Sequence, residues 1–130
     1  MQLKTLQEMI HQNAVDHGWW EDGERPFPEI IALCHAELSE ALEEYRDNKP
    51  MEYTVCTGCQ YNTSERNCVL SDCPHYAMKD KPEGMAVEVA DAIIRALDWA
   101  EGAGIDMEAV ILRKHAYNVT RPYRHGGKVA

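Results

Sequence analysis

The chain has 130 residues, with 22 acidic against 13 basic side chains and a formal charge of −9 when histidine is neutral. That length suits one domain over residues 1–130, and 45% hydrophobic with 27% charged residues describes a folded chain rather than a disordered one. The acidic balance repels phosphate backbones and disfavours nucleic acid as a partner. No apolar run nears the roughly 20 residues that cross a bilayer, and the leading MQLKTLQEMIHQ lacks the apolar core of a secretion signal, so the expected setting is the cytoplasm, away from membranes.

Residues 3–15 set Leu3, Leu6, Met9, Ile10 and Ala14 at three- and four-residue steps, which predicts an amphipathic helix ended by His17 and Gly18. The breaker-rich run from Trp19 and Trp20 to Pro26 follows, and Pro26 or Pro28 opens the next helix because proline in a first turn loses no needed hydrogen bond. That second helix is predicted over residues 29–46. Ile30, Ile31, Leu33, Cys34, Leu38, Ala41, Leu42 and Tyr45 form its broad apolar stripe, and Asn48-Lys49-Pro50 closes it. Cys34, within the stripe, reads as a small buried hydrophobe.

From about residue 50 to residue 80 the apolar period vanishes, which marks an inserted loop. Four of the five cysteines, Cys56, Cys59, Cys68 and Cys73, crowd into it. A structureless loop of that length is unusual inside so small a domain, so something must hold it. In a cytosolic chain crowded thiols bind metal more often than they form disulfides. Cys56-Thr57-Gly58-Cys59 is a CxxC knuckle, Cys68 and Cys73 complete four thiolates, and His75 is a substitute ligand; tetrahedral Zn²⁺ suits the set, and an iron–sulfur cluster uses the same ligands. The alternative is an unliganded, redox-labile loop.

Helical spacing resumes at about Pro82 and Glu83, carrying Met85, Val87, Val89, Ala92, Ile93, Ala96, Leu97 and Trp99 as far as Gly102 and Gly104. Asp106 is the expected N-cap of a last helix that runs through Met107, Val110, Ile111 and Tyr117 and ends at Pro122. No segment alternates convincingly as a strand, so the expected fold class is all-α, a bundle of about four helices.

Glu37 and Glu40 stand three residues apart, which puts both carboxylates on one side of a helix at about 5–6 Å between Cβ atoms; Glu44 follows on that face. Glu88 and Asp91 repeat the arrangement among Ala86, Val87, Val89, Ala90, Ala92 and Ile93. Carboxylates this close raise one another's pKa unless a cation intervenes, and a groove shared by two such helices makes a site for a hard divalent ion, with Mg²⁺ the best fit. The competing reading is a solvated acidic face paired with neighbours such as Arg46. Lys114, Arg121, Arg124 and Lys128, with Tyr117 and Asn118 as neutral donors, form a cationic cluster suited to an anionic substrate, or simply favourable charge at a helix C-terminus. His35 is a candidate supporting donor near Glu37, or merely a packed histidine.

The strings HAELSEALEE at residues 35–44, EVAD at 88–91 and KHAYNVTRPYRHGG at 114–127 resemble the MazG-like branch of the all-α nucleoside triphosphate pyrophosphatases, over nearly the whole chain outside the cysteine insert. The resemblance implies a four-helix-bundle-like fold and cleavage of (d)NTPs between the α and β phosphates to (d)NMP and pyrophosphate. It also implies Mg²⁺ held by Glu37, Glu40, Glu88 and Asp91, and a homodimer or homotetramer with sites near subunit interfaces. Similar enzymes stack the base on an aromatic in the region of Trp19 and Trp20. A carboxylate not consumed as a ligand, Glu40 or Glu44, is the candidate to accept a proton from the attacking water. The cysteine insert is a departure from the family pattern. The rival class is a zinc-stapled binding or regulatory module that recognises a partner through the insert, without nucleotide turnover.

Overall fold

A computed structural model of the chain, which describes residues 1–56 and 80–124, turns the four periodic segments into four α-helices. These are α1 (Leu3–Asp16), α2 (Phe27–Arg46), α3 (Met85–Gly102) and α4 (Met107–Val119). Pro28 sits in the first turn of α2, where its missing N–H has no intrahelical acceptor to satisfy. Asp106 caps α4 as expected, its carboxylate accepting from the Ala109 backbone N–H at 3.1 Å. Among the described residues the protein is therefore mainly helical, and no helix is long and apolar enough to cross a membrane.

The expectation that the chain has no strand is corrected. β1 (Tyr53–Cys56) and β2 (Asp80–Glu83) pair antiparallel, with Tyr53 opposite Glu83 and Cys56 opposite Asp80. Each strand has only 4 residues, too few for alternation to stand out, and Pro82 inside the second argues locally against a strand. Helix α3 consequently begins at Met85, not at Pro82. Gly84 makes the join: its φ is +119°, and a Cβ there would collide with the carbonyl of Met51, so only glycine allows the turn from strand to helix. The hairpin brings residues 56 and 80 side by side. The candidate ligands Cys59, Cys68, Cys73 and His75, the side chain of Cys56, and Lys128 all lie outside the described residues.

The chain divides into two compact units, Met1–Phe27 with Ala96–Ala130, and Pro28–Arg95, the boundary falling within α3. In the first, α1 packs on α4, and the buried Gln7 donates its Nε2 to the Ile105 carbonyl at 2.7 Å. Gly102 leaves room for the Trp20 ring, which a Cβ would strike. In the second, Ile30, Ala41, Val55 and Ala92 form the buried core. Half-buried Cys34 donates to the Ala92 carbonyl at 3.5 Å, and burial pushes its thiol pKa up. The predicted stripe of α2 is split: Ile30 and Ala41 are buried, whereas Ile31, Leu38, Leu42 and Tyr45 are exposed.

Candidate metal centre

Within the Pro28–Arg95 unit, α2 and the start of α3 bring Glu37, Glu40 and Glu88 together. Each offers a carboxylate oxygen, and these oxygens lie within 4.8 Å of one another. Glu37 is only 8% exposed, Glu88 is half-buried and Glu40 is exposed. Such crowding is unfavourable for three anions. The carboxyl of Glu88 is accordingly pushed up to about 7, first by burial, then by hydrogen bonding with Glu40 and Glu37 and by the charges of Glu40 and Asp91. Carboxylates held this close raise one another's pKa unless a cation neutralises them. Three converging hard oxygens, one holding its proton near neutrality, suit a small divalent cation such as Mg²⁺.

Asp91, the fourth expected ligand, is not one of the three converging residues. Its carboxyl is raised by burial and by the charge of Glu37, against the lowering influence of Arg95 and Lys81, which puts it in the same electrostatic neighbourhood. Arg95 was not anticipated. Its Nε and Nη2 both reach Oε1 of Glu37 at 2.7 Å, compensating the most buried acid of the cluster. Its spacing was a usable signal, since residues 88, 91 and 95 follow one helical face. His35 is exposed.

A cavity of about 420 Å³ continues the cluster, lined by Glu40, Glu43, Glu44, Asp47, Tyr53 and Glu88, with Lys49 at its wall. Glu44 does not converge with the other three acids. Instead the Tyr53 hydroxyl lies 2.9 and 3.0 Å from its two oxygens. Burial, reinforced by Glu44 and Glu83, pushes the Tyr53 phenol well above its ordinary value, so it remains a donor. Tyr53 was also missed by sequence reasoning; Tyr-Thr-Val is a run of strand formers, the one local hint available.

The remaining candidates belong to the other unit. Trp20 is half-buried and donates its indole N–H to Asp98 at 3.0 Å. Asp98, 5% exposed, also meets His11 Nδ1 at 2.8 Å and Arg25 at 3.4 Å. The Arg25 guanidinium stacks 5.6 Å from the centre of the Trp19 ring and 5.7 Å from that of Trp20. Trp19 is 63% exposed. Trp20 lines a cavity of about 520 Å³ together with Phe27 and Trp99. On α4, Lys114 and Arg121 lie 5.0 and 6.0 Å from the centre of the Tyr117 ring. Asn118 is exposed, and Arg124 approaches Tyr123 at 5.6 Å. No protein-family model, no curated protein and no solved structure matches the chain.

Proposed function

We propose that the protein is a Mg²⁺-dependent nucleoside triphosphate pyrophosphohydrolase of the MazG-like kind, with a metal-stapled cysteine insert. The observation that carries this reading is the convergence of Glu37, Glu40 and Glu88 from two helices onto one point, with Asp91 beside them. The motif order and the helical class support it; no relative does. Bound to these carboxylates, Mg²⁺ supplies charge neutralisation for the polyphosphate and lowers the pKa of water. The protein's own part is positioning and proton handling. Arg95 orients Glu37; Glu40 or Glu44 accepts the proton of the attacking water. Lys114, Arg121 and Arg124 offer charge to phosphate oxygens, with Tyr117 and Asn118 as neutral donors. Of the two tryptophans Trp19 has the exposed ring face suited to a base, since Trp20 is engaged by Asp98.

Assembly into a homodimer or homotetramer is part of the same proposal. Ile31, Leu38, Leu42 and Tyr45 are exposed on α2 at spacings of seven, four and three residues, one continuous helical face.

The test is a panel of NTPs and dNTPs incubated with protein and Mg²⁺, with monophosphate plus pyrophosphate separated from diphosphate plus phosphate. Release of pyrophosphate that disappears in Glu37→Gln and Glu88→Gln while the helical circular dichroism persists supports the reading. Every nucleotide left intact with both Mg²⁺ and Mn²⁺ ends it.

A further inference from the structure

We propose that Tyr53 is a positioning residue of this groove, holding Glu44 as the carboxylate that takes the proton of the attacking water; the inference rests on the pyrophosphohydrolase reading. Glu44 lies one helical turn beyond Glu40 and lines the same cavity as Glu40 and Glu88, yet its oxygens do not join theirs at the converging point. It is therefore at the site without being consumed there. A glutamate on a helix surface samples several rotamers, and a base that wanders loses the advantage of a fixed geometry. The Tyr53 hydroxyl removes that freedom by approaching both Glu44 oxygens, at 2.9 and 3.0 Å. One O–H occupies one of the roughly four lone-pair sites of a carboxylate, which leaves acceptor capacity for water.

The hairpin in turn fixes Tyr53. Val55, two residues on and so on the same face of β1, is 4% exposed, and the backbone of Tyr53 pairs with that of Glu83 in β2. The step is balanced: the water oxygen bonds to the α-phosphorus, the α–β bridging oxygen leaves with pyrophosphate, and the proton goes to Glu44.

Tyr53→Phe keeps the ring and deletes the donor. We expect its kcat to fall about tenfold, the scale of one lost hydrogen bond to a charged group, with KM and the calorimetric Mn²⁺ affinity within about twofold of wild type. Glu44→Gln should fall at least as far, and adding Tyr53→Phe to it should cost nothing more. Thr54→Val, on the opposite face of β1, serves as the control and should match wild type. Unchanged turnover in Tyr53→Phe, full additivity in the double variant, or a Mn²⁺ affinity that falls in step with kcat overturns the positioning role. A wild-type protein that turns over while Tyr53→Phe is indifferent sinks this inference alone. A wild-type protein that releases no pyrophosphate sinks the function and this inference together.

Discussion

Arg95 meets Glu37 through two guanidinium nitrogens, Nε and Nη2, both 2.7 Å from the same carboxylate oxygen. The contact leaves the second oxygen of Glu37 uncommitted to the arginine, and it sets a cation against an acid that is 8% exposed. Breaking a pair by removing one partner strands the other. Arg95→Met should therefore lower stability by about 1.5–3 kcal/mol, the range for hydrogen bonds to charged groups, measured by urea unfolding. Added Mg²⁺ should recover part of the loss. An unchanged midpoint without metal would contradict this account.

The pH dependence follows from Glu88. In the folded protein its carboxyl titrates at about 7, against 4.5 for the ordinary group, so between those values the folded state binds the proton more strongly. The stability contributed by this group is complete below the lower value and is lost as pH rises through the upper one. Asp91, also raised, acts in the same direction. Thermal melting of metal-free protein between about pH 5 and about pH 8 should show this group's contribution as a decline. Glu88→Gln should flatten that decline, as should Mg²⁺ at the alkaline end, and a variant that melts with the wild-type pH profile would sink the assignment.

Asp98 is the acceptor for His11, Trp20 and Arg25 in the other unit. Asp98→Leu removes a buried charge but orphans the indole N–H and the guanidinium, and should cost about 3 kcal/mol. Trp20 loses its acceptor, so the intrinsic fluorescence should shift along with the melting temperature. A variant as stable as wild type would mean the network carries no stability.

Leu42, at 48% exposure, and Leu38, at 49%, stand on the apolar face of α2. If that face is covered by a second copy, Leu42→Glu should halve the mass measured by light scattering and leave the helical content intact. A wild-type protein that is monomeric at all concentrations, or a variant with unchanged mass, would remove this face from the assembly proposal.

The four helices were legible because each repeats apolar residues over ten or more positions, and because breakers and an N-cap bracket them. The spacing of Glu37 and Glu40, and of Glu88 and Asp91, was equally legible, since a helix converts three residues into one face. The hairpin was not. Tyr53-Thr54-Val55-Cys56 is short, its partner carries Pro82, and the 23 residues that separate positions 56 and 80 in the sequence hide a pairing that only long-range contact reveals.

Local periodicity thus dictated which stretches coil and which acids share a helical side, because those properties depend on neighbours three or four residues away. The folded chain alone selected Glu88, rather than Asp91, to complete the converging trio with Glu37 and Glu40. It also supplied Arg95 as the counter-charge, tied Glu44 to Tyr53, and committed Trp20 to Asp98. Each of those outcomes depends on distances between segments far apart along the chain, and burial there sets the cost of every charge, a quantity with no counterpart in residue spacing.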